Sequence, residues 1–411
     1  MNLFDTFSIL IVLSALFAYI NFRFIKLPAT IGVTVIALAA SLILVTYGIF
    51  FPDRVNTIKE VLKSFDFSQL LLGYMLSFML FAGAIHIPID KLKQERLPIL
   101  LFSTLSVIVS TFIIGTTLYY FLPFFNFQPQ FIYCLLFGAL ISPTDPIAVI
   151  AILKEAGIPK SLEIKIAGES LFNDGVAVVV FVTIYNSSIA QQGEFDLLQI
   201  GLLFLREAVG GIVVGILVGY VGFLMLRSID KYKVEVMITL AMVMGGYSLA
   251  HYIEVSGPLA MVAAGIIVGN QATVKAMSKT TVEYVYKFWE LIDEILNGVL
   301  FVLIGFELLL IKFSFVYLLL ALAATLIVLV ARYLSVLVPA LMIRFTEKID
   351  QRTLFILTWG GLRGGISIAL ALSLRPEMMR ELWVFFTYII VLISIIVQGL
   401  TIGRVVKKIT V

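Results

Sequence analysis

Residues 130–153 read QFIYCLLFGALISPTDPIAVIAIL, an apolar run whose one charge, Asp145, stands between two prolines in Ile-Ser-Pro-Thr-Asp-Pro at 141–146. About 20 apolar residues carry a helix across the hydrocarbon core of a bilayer. This run is long enough, yet Pro143 and Pro146 withdraw two backbone donors from its middle. Backbone left unpaired at that depth is tolerated only inside protein or beside a water-filled cavity. The stretch therefore reads as a broken membrane helix around a polar site. A second interruption, Trp-Gly-Gly-Leu-Arg-Gly-Gly at 359–365, carries Arg363, and its four glycines make a continuous helix costly there too.

Working outward, the whole chain suits lipid. Of its 411 residues 61% are hydrophobic and 13% charged, with a mean hydropathy of +1.08. A soluble protein carries about 25% charged residues. Thirteen stretches qualify as spans: 6–22, 28–50, 67–88, 97–121, 130–153, 166–187, 201–226, 234–253, 255–270, 283–310, 314–343, 353–374 and 382–403. The connections are short, so the sequence predicts an all-α polytopic protein, a single membrane domain over 1–411 with no soluble regulatory domain. The first seven residues lack the positive region of a cleaved signal peptide, so the first span is read as retained. One set of alternate loops holds 19 lysines and arginines; the other holds six, Arg54, Lys59, Lys63, Lys312, Arg375 and Arg380. The positive-inside rule then puts the N-terminus outside and the C-terminus in the cytoplasm.

Other classes fall away. No basic run is dense enough for nucleic acid. Cys134 stands alone, and His86 and His251 are too few for a metal cluster, so neither a disulfide framework nor a cofactor is expected. Both histidines read as span-end residues.

Spans 5 and 12 are seven apart. Two six-span units, 1–6 and 8–13, joined by span 7, give them equivalent positions with opposite topology. Paired interrupted helices in inverted repeats mark the binding site of secondary transporters. The plainer reading is two unrelated kinks; a charge in each break speaks against it.

Asp145 lies nine residues before Lys154 and Asp174 nine residues after Lys165. Both carboxylates then sit roughly 13 Å deep, near the bilayer centre. An ionisable group there is costly, so function is the default reading. The alternative is a carboxylate buried for packing, or, for Asp145, one that balances the helix ends at the break. Glu169, Asn173, Ser170 and Asp174 fall at about 0°, 40°, 100° and 140° around span 6, which is one side of that helix. Carboxylate, hydroxyl and carbonyl oxygens suit Na+, Li+ or K+, and would also suit Ca2+. Arg363 can balance exposed carbonyl ends at its break, and Arg332 within span 11 needs an anion or a carbonyl. Glu307 at the outer end of span 10, and Glu290, Asp293 and Glu294 at its inner end, read as interfacial, solvated or structural charges.

At this point the residues resemble a family. Ser-Pro-Thr-Asp-Pro at 142–146 followed by Gly-Glu-Ser-Leu-Phe-Asn-Asp-Gly at 168–175 is similar to the monovalent cation/proton antiporters. The Asn-Asp pair at 173–174 matches their NhaP/NHE-like branch, as do Phe-Val-Leu-Ile-Gly-Phe-Glu at 301–307 and Trp-Gly-Gly-Leu-Arg-Gly at 359–364. The resemblance implies a homodimer, a core built on two crossed unwound helices, and alternating access. It implies Asp174 as carrier of cation and proton, with Thr144, Asp145 and Ser170 in or near the site and Asn173 as its structural partner. It also implies a buried ion pair between Glu169 and Arg332. Counted from Lys165 and Arg344, those two differ in depth by about 12 Å. Chains of this family from eukaryotes carry a long tail; here the sequence stops at Val411, which points to a prokaryotic cell membrane.

The expected function is thus exchange of a monovalent cation for H+, a transporter's role in pH homeostasis rather than an enzyme's. Two other classes use charges in the membrane. A cation channel needs midplane carboxylates, but no filter-like repeat is present. An intramembrane aspartyl protease would use two aspartates, but its Gly-x-Gly-Asp signature is absent.

Overall fold

The computed structural model describes residues 3–63, 67–145, 149–150, 153, 160–190, 197–343 and 350–410. Lys154, Arg344, Lys348 and Pro146, the second proline of the first break, lie outside them. The chain is helical almost throughout. The long elements are α1 (Leu3–Ile20), α2 (Ala29–Phe50), α3 (Pro52–Lys63), α4 (Gln69–Ile85), α5 (Arg96–Phe125), α6 (Phe131–Ile141), α7 (Lys160–Ala190) and α8 (Leu197–Arg227). They continue as α9 (Tyr232–Tyr252), α10 (Gly257–Ile267), α11 (Lys279–Glu307), α12 (Phe315–Ile343), α13 (Gln351–Trp359), α14 (Gly365–Leu372) and α15 (Arg380–Val406).

Among the described residues nine helices are long and apolar enough to cross a membrane. The other four expected crossings depart from that pattern for physical reasons. Gln69–Ile85 and Phe131–Ile141 are shorter apolar helices. α11 carries charges along its first half, and α13 and α14 are the two halves of one interrupted span. The connection after α2, which the sequence leaves plain, holds the additional helix α3.

Local chemistry sets the helix starts. The Ser256 hydroxyl accepts from Leu259 N–H at 3.2 Å, with Pro258 in the first turn of α10. The Asp350 carboxylate accepts from Thr353 N–H at 2.8 Å and starts α13. Each cap satisfies a donor that a helix N-terminus leaves free.

Side chains sort by neighbour. Leu202, Leu205, Val209, Val213, Leu217 and Val221 of α8 are exposed, as suits a surface solvated by lipid tails. Phe137, Trp289, Trp383 and Phe386 are fully buried. The helices pack in two groups. In one, α11 packs on α1, α2, α4 and α9, and α10 packs on α4 and α8. In the other, α5, α6, α7, α12, α14 and α15 pack on one another around the breaks. The groups meet where α7 lies on α8 and α10, and where α14 touches α4 and α11.

Candidate functional site

The two breaks cross. Asp145 N–H donates to Leu362 O at 2.7 Å, an isolated antiparallel bridge between the two interrupted spans. In a continuous helix Ser142 O would accept from residue 146, a proline without an N–H, so carbonyls at the break need other partners. Arg363 supplies them: its Nη1 donates to Ser142 O at 2.5 Å and Pro143 O at 3.1 Å. The Arg363 guanidinium therefore lies on the carbonyl side of the break. Asp145 stands at the opposite kind of end. A Cβ added to Gly364, the residue before α14, would lie 2.8 Å from the Asp145 Cβ and from its Oδ2. Glycine allows the approach, and the carboxylate meets the N-terminus of a half-helix, where the dipole favours negative charge. α15 holds the second break from behind. Ser394 Oγ accepts from Arg363 N–H at 2.9 Å, and Gln398 Nε2 donates to Trp359 O at 3.3 Å.

α7 passes this crossing. Its Ser170 hydroxyl lies 3.2 Å from that of Thr144, and Asn173 Nδ2 donates to the same Thr144 oxygen at 3.3 Å. Thr144, Ser170 and Asn173 thus form one buried polar chain across the first break, and Asn173 Oδ1 is buried without a hydrogen-bond partner among the described residues. Asp174 and Asp145 both line a cavity of about 430 Å³ that extends to His86 and Pro88 after α4 and to Lys160 and Glu163 at the start of α7.

Glu169 and Arg332 form a buried ion pair, Nη2 to Oε1 at 2.5 Å, and the same nitrogen donates to Leu357 O at 3.2 Å. The depth mismatch counted from the sequence came from the helix ends. α7 begins at Lys160, nine residues before Glu169, and α12 is described to Ile343, eleven residues beyond Arg332. The two then differ by roughly 3 Å along their helices, well within an arginine's reach. The pair ties α7, α12 and the end of α13 together behind the site.

A family model described as sodium/hydrogen exchanger, transmembrane, matches residues 12–408. The chain belongs to the sodium/hydrogen exchanger family. It is 50% identical over 412 residues to the Na(+)/H(+) antiporter NhaP of Pseudomonas aeruginosa, covering 98% of this chain and 96% of that one. It is 32% identical to the Na(+)/H(+) antiporter NhaH of Halobacillus dabanensis, over 93% of this chain and 96% of the relative. In structure it matches the sodium proton antiporter MjNhaP1 of Methanocaldococcus jannaschii with a TM-score of 0.77, over 100% of this chain and 99% of that one. At 19% identity this last likeness speaks for the fold alone.

Thr144, Asp145, Ser170, Asn173, Asp174 and Arg363 lie at or beside the crossing, and Glu169 joins them through Arg332. The oxygens of Thr144, Ser170, Asp145 and Asp174 are hard donors of the kind a monovalent cation takes. An unpartnered amide oxygen on Asn173 adds to that fit. Four residues stand differently from the sequence reading or escape it. Asp293 lines the cavity that holds Asp145 and Asp174 instead of facing solvent, whereas Glu290 and Glu294 are exposed. Glu307 is 8% exposed and lines a second cavity of about 1440 Å³ at the other end of α11. Ser394 and Gln398 were available as signals, two polar residues in an otherwise apolar span.

Proposed function

We propose that this chain is a secondary antiporter in the cell membrane, exchanging a monovalent cation for H+ by alternating access. Na+ is the cation its relatives' names support. The observation that carries the reading is the placement of Asp174 and Asp145 in one cavity at the crossing of two broken helices. Carboxylates beside irregular backbone that lines a cavity are what a membrane protein keeps for ions and protons. Asp174 alternates between cation and proton. Thr144, Ser170 and Asp145 supply further oxygens to the cation, and Asn173 holds Thr144. Arg363 and the Glu169–Arg332 pair fix the breaks in place. The group built on α5, α6, α7, α12, α14 and α15 moves against the other, in a homodimer with its C-terminus in the cytoplasm.

The test is the proton gradient of everted vesicles. Adding Na+ should collapse it, with Li+, K+ and Ca2+ added in turn to rank the cations. Saturating, proton-coupled exchange is expected. Net cation current without proton movement would instead describe a channel.

A further inference from the structure

In a continuous helix the N–H of residue 363 would donate to the carbonyl of residue 359, four back. The second break omits that bond, and each of its halves goes to α15. Trp359 O accepts from Gln398 Nε2 at 3.3 Å, and Arg363 N–H donates to Ser394 Oγ at 2.9 Å. The Ser394 hydroxyl in turn donates to Gln398 Oε1 at 2.5 Å. Both halves of one missing bond therefore end on two buried side chains that hold each other. The other carbonyls at the end of α13 are taken elsewhere: Ile356 O by Gly360 N–H at 2.8 Å, Leu357 O by Arg332 Nη2 at 3.2 Å and Thr358 O by Gly361 N–H at 3.4 Å.

The omitted bond bears on the site. Forming it would wind residues 360–362 into the helix and aim Leu362 O along the axis toward residue 366. In the structure Leu362 O instead accepts from Asp145 N–H at 2.7 Å. A closed second span would thus release Asp145 from the crossing. We propose that Ser394 and Gln398 are positioning residues that stand in for the omitted 363-to-359 hydrogen bond, and that they set cation affinity by holding the second span open. The proposal rests on the antiport reading above. Without the pair, Arg363 N–H and Trp359 O can satisfy each other, so a closed form gains population over the form that keeps Asp145 in the cavity. Apparent affinity falls with the fraction of molecules that stay open. A saturating cation binds only the open form and draws the population back, so KM rises while the rate at saturation holds. Because the two backbone groups exchange one partner for another, stability changes little. A pair that only packed the core would behave in the opposite way: its removal would strand a buried donor and a buried carbonyl and lower stability.

The experiment measures the Na+ dependence of exchange in everted vesicles of the full chain, and the melting temperature of the purified protein without Na+, for wild type, Ser394→Ala, Gln398→Met, the double variant and Ser394→Thr. Ser394→Ala and Gln398→Met should each raise KM roughly five- to tenfold, the effect of losing about one hydrogen bond, with saturating rate and melting temperature near wild type. The double variant should raise KM little more than the larger single change, because the pair replaces one bond. Ser394→Thr keeps the hydroxyl and should keep the wild-type KM. An unchanged KM in Ser394→Ala and Gln398→Met overturns the proposal, and so do effects that multiply in the double variant. A lowered melting temperature, or a variant too unstable to reach the membrane, also overturns it, since either assigns the pair to packing. Wild-type vesicles without cation-coupled proton movement would overturn the antiport reading itself, which keeps the two failures distinct.

Discussion

In the proposed exchange Asp174 has two demands on it: it must hold a cation in a buried place and release it to a proton. Replacing it by Asn keeps its shape and removes the charge. Asp174→Asn should remain folded in the membrane with exchange abolished, while Asp174→Glu keeps partial activity because the charge survives with a longer reach. Exchange at the wild-type rate by Asp174→Asn would remove this residue from the mechanism. Competition at one group also sets the pH response. Protons occupy more of the sites as pH falls, so the apparent KM for Na+ should rise through the acidic limb. A KM flat with pH there would mean that cation and proton bind elsewhere from each other. Arg332 and Glu169 have a structural demand instead. Each is less than a tenth exposed, and the pair is closed on itself and on Leu357 O. Removing one partner strands a buried charge, which costs about 3–5 kcal/mol. Glu169→Gln and Arg332→Ala should each lower the melting temperature of the purified protein, with less than additive loss in the double variant. Strict additivity would assign Arg332 a different anion.

The elements show why some of this was legible in sequence and some was not. Prolines and glycines inside apolar runs declare a broken span, because helix geometry alone condemns them there. Both breaks, and the side of α7 that bears Glu169, Ser170, Asn173 and Asp174, could therefore be read. Their crossing, the bridge from Asp145 N–H to Leu362 O, is a tertiary fact with no local trace. Depth counting failed wherever a helix ran past its apolar stretch. α7 starts at Lys160, five residues before the Lys165 used for counting, which set Glu169 and Arg332 apart in depth although the resemblance paired them. α11 starts four residues before its own, and counting inward along it could not tell a solvent-facing carboxylate from one facing a cavity, so Asp293 was taken for an interfacial charge. Caps were legible in principle, and Asp350 shows their effect. Thr353, through its hydroxyl and its N–H, holds the Asp350 carboxyl below the usual carboxylate range. A lowered folded-state value means that the cap stabilises at pH above the ordinary Asp value of about 3.9 and fades as pH falls through the lowered one. Asp350→Ala should cost about 1 kcal/mol at neutral pH. The melting temperatures of variant and wild type in detergent should converge on acidification; a gap that persists in acid would mean that Asp350 acts by something other than its charge.

At the scale of the whole molecule the question is how much charge crosses the membrane per cycle. Only groups that travel with the ions between the two cavities count. In the proposed cycle Asn173 stands beside Asp174 on the moving group, and an amide can neither release a proton nor carry charge. Asp145 travels too, but its carboxylate faces the N-terminus of α14, an arrangement that favours its charged form throughout. A charge that stays the same in both directions adds nothing to the net transfer. Asp293 and Glu307 are on the other helix group, outside the group that carries Asp174. One group is left to alternate between H+ and a monovalent cation, and the site then carries the same charge whichever way it faces. Exchange should be electroneutral, one cation for one proton, and the membrane potential should do no work on it. The measurement is the initial exchange rate in proteoliposomes under potentials of either sign set with potassium and valinomycin, with Na+ or Li+ as substrate. Equal rates are expected. Rates that follow the sign of the potential, or transient currents on a solid-supported membrane matching a net charge per turnover, would show that Asp145 takes up and releases a proton as well.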